Sequence, residues 1–137
     1  MSKSSFGGRR PKYSFCLNPY RDVRFTRCPK CERMTSLRKF ALLIHLEGFG
    51  LIVLGKTSRF CRFCELIIVH QDELELETAR VVSNTRPIRS GNRYFVVGTV
   101  PLSTWKLALR NKLDIETVRN LSSDFKNQLK FTRASDD

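Results

Sequence analysis

Four of the five cysteines fall into two pairs, Cys28 and Cys31 in "RCPKCERM" and Cys61 and Cys64 in "FCRFCELI". Two residues between cysteines let both thiolates grip one tetrahedral ion from a tight turn, and two such pairs complete a set of four ligands. The pattern predicts one structural Zn2+ per chain, held by Cys28, Cys31, Cys61 and Cys64. Redox chemistry is the rival. A thioredoxin-like motif would place a single pair between a strand and a helix, whereas these two pairs bracket 29 residues that read as a β-hairpin. One departure stands out: knuckles often carry glycine after the second cysteine to supply positive φ, and here that residue is Glu32 or Glu65. Lys30 and Arg62, inside the knuckles, would offset the negative charge of four thiolates.

A four-cysteine site leaves no coordination position for water or substrate, so its metal contributes folding free energy rather than catalysis. Other reactive residues are sparse. Cys16 stands alone in what reads as a tail, where an exposed thiol would be reactive or incidental. His45 lies within a strand, and His70 ends one beside Asp72 and Glu73, so a general base is conceivable there, with a salt bridge as the commoner role. The sequence has no Gly-rich phosphate loop and no serine-nucleophile motif.

Charge is lopsided. Residues 1–64 hold 14 Lys and Arg against 3 acids, while residues 65–137 hold 11 against 10. Nearly all of the net +12 therefore lies in the cysteine half, which favours a polyanion partner, RNA or DNA ahead of an anionic membrane surface. Arg9, Arg10, Lys12, Arg21, Arg24, Arg27 and Lys30 interleave with Tyr13, Phe15, Tyr20 and Phe25, a mixture suited to phosphate contacts and base stacking. Arg33, Arg38, Lys39, Lys56, Arg59 and Arg62 would extend that surface around the hairpin. The plainer reading makes the aromatics core and the cations solvated. No recognition helix is apparent, so sequence-specific readout is not expected.

The elements that position these residues follow from periodicity. Residues 1–19 combine glycine, proline and basic residues without an acid, and read as a flexible basic tail; an organellar transit peptide is a weaker alternative. Phe40, Leu42, Ile44 and Leu46 alternate along a strand, "GFG" makes a turn, and "LIVLGKTSRF" returns the chain to Cys61. "ELIIVHQ" reads as a third strand and "DELELETARVV" as a helix, closing a zinc-ribbon-like module over 20–82. Residues 83–92 form a linker. A β-α-α segment over 93–131 contains the strand "RYFVVGTV", a helix capped at Ser103 and a helix capped at Asp114. The last carries an apolar stripe of Ile115, Val118, Leu121, Phe125 and Leu129. Residues 132–137 read as a second tail. No run of about 18 apolar residues predicts a membrane span, and with no apolar leader the expected location is cytoplasmic.

The stretches "NPYRDVRFTRCPKC", "CRFCELIIVHQDELE", "YFVVGTVPLSTW" and "DFKNQLKF" resemble a group of short bacterial zinc-ribbon-like proteins of unknown function. The resemblance covers most of residues 18–131 and implies a bacterial, cytoplasmic protein; it carries no catalytic residue across. The expectation is therefore an α+β protein: a zinc-ribbon-like antiparallel β core with a C-terminal strand and two helices. "RYFVVGTV" is free to join the ribbon sheet and make one unit. The expected function is non-catalytic binding of RNA or DNA, within a ribosomal or transcription assembly. A protein-interaction adaptor with a structural zinc, contacting its partner through the C-terminal helices, is the alternative, and an enzyme using His45 or His70 comes third.

Overall fold

The computed structural model describes residues 6–83, 93–110 and 114–131; the expected linker beyond Ser83 and the tail at 132–137 lie outside them. The protein is α+β. Its strands, in chain order, are β1 (Ser14–Asn18), β2 (Ser36–Leu46), β3 (Gly50–Cys61), β4 (Leu66–His70), β5 (Tyr94–Val100), β6 (Ser123–Asp124) and β7 (Asn127–Lys130). Helix α1 (Gln71–Ser83) follows β4, and α2 (Leu102–Leu109) and α3 (Ile115–Asn120) follow β5.

The predicted hairpin is present, with Ser36 opposite Phe60 and Leu46 opposite Gly50. Gly48 and Gly50 take φ of 79° and 112° at its turn, a region that costs glycine nothing. "RYFVVGTV" joins the same sheet by pairing antiparallel with β2. The strand order is β6-β5-β2-β3-β4-β1-β7. Its two edge strands are separated in the chain only by Phe125 and Lys126, so the sheet curls round until its edges meet. Across that join, Phe125 N–H donates to the Val97 carbonyl (3.1 Å) and Lys126 N–H to the Tyr13 carbonyl (2.8 Å).

Three sequence expectations are corrected. Residues 1–19 are not a tail throughout: β1 lies inside the sheet, parallel to β4 on one side and β7 on the other. Tyr13 and Phe15 enter the core, and burial of about 1.5–3 kcal/mol per large side chain, with ladder bonds on both edges, offsets the ordering entropy. The sheet is consequently mixed rather than antiparallel. Thirdly, the stripe continuing to Leu129 is not helical. Helix α3 stops at Asn120, where the Ser122 N–H (3.1 Å) and hydroxyl (2.6 Å) both donate to the Arg119 carbonyl. The chain then pairs with β5 through β6 and with β1 through β7. Asp114 caps α3 as expected, accepting from Thr117 N–H at 2.8 Å. Helix α2 starts earlier than expected, after Pro101 rather than Ser103.

Phe15, Phe40, Leu42, Ile44, Ile52, Leu54, Ile67, Val69, Val96 and Phe125 fill the inside of the curled sheet, and Leu74 and Val82 of α1 join that core. Lys56 is buried too, and its ammonium meets Glu73 (2.9 Å) and Glu77 (3.1 Å) on α1. Burial alone would lower its pKa, but the two carboxylates outweigh that and hold it above 10.5, so the ammonium stays charged. Outside, Ala41, Leu43 and Val97 are covered by Trp105 and Val118. The Trp105 ring lies so close over Gly55 that a Cβ there would meet it at 2.4 Å.

Phe125 stacks on Phe15 with centroids 4.9 Å apart and is buried, whereas Leu129 is 40% exposed. Phe125→Ala is expected to cost about 3–5 kcal/mol in urea unfolding, and Leu129→Ala under about 1 kcal/mol. Equal costs would restore the helical stripe.

Candidate metal centre and basic face

Both cysteine pairs sit at the open end of the β2–β3 hairpin. Cys28 and Cys31 precede β2, while Cys61 ends β3 and Cys64 lies in the turn before β4. The first knuckle is closed by Glu32 N–H donating to the Cys28 carbonyl and Cys28 N–H to the Arg33 carbonyl, both at 2.8 Å. Lys30 N–H points at the Cys28 sulfur at 3.4 Å. Glu32 and Glu65 take φ of 64° and 51°. The left-handed residue that glycine usually supplies is therefore present in both knuckles, built with glutamate against its preference. The second knuckle is tied to the sheet by Ser14 N–H donating to the Glu65 carbonyl at 2.8 Å.

All four sulfurs lie within 4.8 Å of one another. Cys31 and Cys61 sulfurs are 3.5 Å apart, and Cys28 and Cys64 sulfurs 3.8 Å. Four bonds of about 2.3 Å to a tetrahedral ion give sulfur–sulfur edges of about 3.8 Å, and a disulfide needs about 2.05 Å. The residues fit a metal ion, and all five cysteines are free of disulfides. Among the described residues this is the one group of three or more His, Cys, Asp or Glu within metal-binding reach.

Cys28 and Cys61 are buried, and Cys31 and Cys64 half-buried, against Phe25, Phe131, Leu66 and Ile68. Burial and the neighbouring thiols push Cys64 up to about 12. Burial also opposes ionisation of Cys61, but N–H groups of Cys64 and Phe63 and the Cys31 and Cys28 thiols outweigh it and bring Cys61 down to about 7. Cys16 is not the exposed thiol that a tail would give. It is buried beside the cluster, and burial raises its thiol to about 11.

His70 donates through Nε2–H to the Val23 carbonyl at 2.7 Å, with Nδ1 3.9 Å from Glu73; it ties the loop after β1 to the sheet. His45 is exposed on β2.

The thirteen cations named from sequence do not form one surface. Arg27, Lys30, Arg33 and Arg62 are exposed around the knuckles. Arg9, Arg10, Lys12, Arg38 and Lys39 line a cavity of 420 Å³. Arg24 and Arg59 share a separate groove with His70, and Arg21 pairs with Asp72 at 2.8 Å. Lys56 is removed from the set, because it is buried and engaged by two glutamates. The aromatics are corrected too: Tyr13 and Phe15 are core, while Tyr20 and Phe25 pack edge-on against Phe131.

Sequence reasoning missed Phe63. Its ring is 61% exposed, with the Arg33 guanidinium 3.7 Å and that of Arg62 5.8 Å from its centroid. The signal was its position: between two cysteines that turn inward, the intervening side chain must face out.

Metal occupancy is expected to need all four thiols. Cys31→Ser and Cys64→Ser should lose bound metal and lower the thermal transition by on the order of 10 °C, while Cys16→Ser retains the metal. A metal binds the thiolate form of its ligands and displaces their protons, so metal affinity, and the stabilisation it brings, is expected to fall as pH falls. A pH-independent metal affinity would contradict the site. No family model, curated protein or solved structure matches the chain, so its own geometry is the ground for a functional reading.

Proposed function

We propose that the protein is a non-catalytic, zinc-stapled binder of single-stranded RNA or DNA. Zinc suits four thiolates better than calcium, magnesium or manganese, which take oxygen ligands. When bound, it supplies folding free energy and fixes the two knuckles. Cys28, Cys31, Cys61 and Cys64 would hold it, and no ligand position remains for a substrate.

The observation that carries the nucleic-acid reading is the exposed Phe63 ring flanked by Arg33 and Arg62, with Arg27 and Lys30 on the neighbouring knuckle. An exposed aromatic with guanidinium groups at its face offers a base a stacking partner and the backbone a charge partner at one place. The acids Asp72, Glu73, Glu75 and Glu77 are gathered on α1 instead, where two of them hold Lys56. Such a surface reads backbone and unpaired bases rather than a duplex sequence.

A second reading, a protein-interaction adaptor, is favoured by Leu107 (41%), Leu109 (62%) and Ile115 (45%), apolar residues exposed on or beside α2 and α3. It predicts a partner that stays bound in high salt.

The nucleic-acid reading predicts binding to a mixed-sequence single strand that weakens steeply with salt. Phe63→Ala should lose about 1–3 kcal/mol of it, and Arg33→Gln and Arg62→Gln should each reduce the salt slope by about one ion. Metal content is expected at one zinc per chain by mass spectrometry of the native protein. Absence of salt-sensitive binding in nuclease-treated protein would defeat the proposal.

A further inference from the structure

The second basic group shares no lining residue with the Phe63 platform and has a different shape. Pairing of β5 with β2 ends at Val100 opposite Ala41, so Arg38, Lys39 and Phe40 run on past it. Pro101 then turns the chain away into α2. The gap left between β2, the end of β5 and the segment leading to β1 is the 420 Å³ cavity, within the range of about 300–1,000 Å³ usual for small-molecule sites.

Its lining contains five cations, Arg9, Arg10, Lys12, Arg38 and Lys39, and no acid. Asp124, next to the lining Ser123, is already committed: its two oxygens accept from Phe6 and Gly7 N–H at 2.8 and 2.7 Å. None of the five cations has a carboxylate partner among the described residues. Three are positioned by rings instead. Lys12 lies 4.9 Å from the Tyr13 centroid, Lys39 4.5 Å from Trp105, and Arg38 5.0 and 5.2 Å from Phe40 and Phe60. A ring orients a cation without cancelling its charge, so the cavity concentrates uncompensated positive potential around a concave space. Arg9 and Arg10 are brought there because Gly7 and Gly8 press against Ser122 and Asn120, where a Cβ would meet backbone oxygens at 2.4 and 2.3 Å. Pro101 and Leu102, which open α2, also face the cavity, and no side chain caps that helix. Tyr13, Leu102 and Leu121 supply apolar wall.

We infer that this cavity binds the phosphates of a single nucleotide, with Arg9, Arg10, Lys12, Arg38 and Lys39 as its charge partners and the apolar wall against the base. The shared chemistry has two sources, a free nucleoside diphosphate or the phosphorylated 5′ end of a strand. Guanidinium forks and ammonium groups without carboxylates match phosphate oxygens. The site does not depend on the Phe63 platform, and a free nucleotide seats without any strand.

The test uses the full-length, metal-loaded protein and calorimetric titration with ADP, with inorganic pyrophosphate, and with two oligonucleotides differing only in a 5′-phosphate. Saturable one-to-one binding of ADP and pyrophosphate is expected, weakened at least about tenfold by Arg38→Gln, by Lys39→Gln and separately by Arg9→Gln. The double variant R93Q/K130Q removes equal or greater charge elsewhere and should leave it unchanged. If the 5′-phosphorylated strand binds about tenfold more tightly than the 5′-hydroxyl strand and competes with ADP, the strand end is the source; with no such difference, the free nucleotide is. Either result supports the site. Lack of saturable ADP and pyrophosphate binding, or equal losses in R93Q/K130Q and the cavity variants, overturns it. Salt-sensitive strand binding that survives such a failure leaves the Phe63 reading standing.

Discussion

The segment 123–130 hydrogen-bonds to β5 along one edge and to β1 along the other. A curled sheet of this size has two edges whose N–H and C=O groups would otherwise face water or another chain. By joining them, the segment satisfies both edges and encloses an interior packed with phenylalanine and branched aliphatic side chains. The rest of the molecule depends on that closure. Without it β1 would lose one of its two neighbours, and residues 6–13 would lose the Ser122 and Asp124 contacts that hold them.

The cysteine cluster stands outside this interior yet is continuous with the same closure. Outward-facing Cys16, Leu66 and Ile68 form the floor on which Cys28 and Cys61 rest, and Phe131, just beyond β7, packs over it against Phe25. The Glu65 carbonyl receives Ser14 N–H, so the second knuckle is registered to β1. Lys126 reaches Glu65 at 3.5 Å on the exposed side, a pair worth little by itself. A metal at the cluster would therefore fasten the segment entering β2 to the turn between β3 and β4, which is itself registered to β1.

What could be read from the sequence was local. The cysteine spacing, the alternation through Phe40–Leu46, the turn and the α1 pattern each lie within a dozen or so residues, and the structure has them where the spacing put them. The missing parts are long-range. Parallel pairing of Ser14 with Asn127 spans more than a hundred residues and leaves no periodic trace beyond Tyr13, Phe15 and Leu17, an alternation hidden among glycines, prolines and arginines. Ile115, Val118, Leu121, Phe125 and Leu129 satisfied helical spacing, yet only Val118 and Phe125 of the five are buried and Ile115 and Leu129 are exposed, because the helix ends at Asn120 and the chain enters two short strands. Lys56 looked like any other hairpin cation; only the approach of α1 shows that it points into the core. The candidate metal ligands needed one short spacing repeated, whereas the basic surfaces depended on which strand ends first, which no local pattern encodes.

Charge placement ties these levels together. Helix α1 is acid-rich at its start, with Asp72 and Glu73 in its first turn, where carboxylates meet the helix dipole favourably. Two of its glutamates are spent on Lys56. The hairpin's open end keeps Arg27, Lys30, Arg33 and Arg62 exposed beside four sulfurs. With a divalent ion and four thiolates that centre would carry two net negative charges, and those cations would moderate its field. The cavity cations have no such neighbour. Arg38 and Lys39 sit on aromatic faces rather than carboxylates, so their charge is the less compensated of the two groups. On both proposals, a phosphate would therefore find less compensated charge at the cavity than beside Phe63.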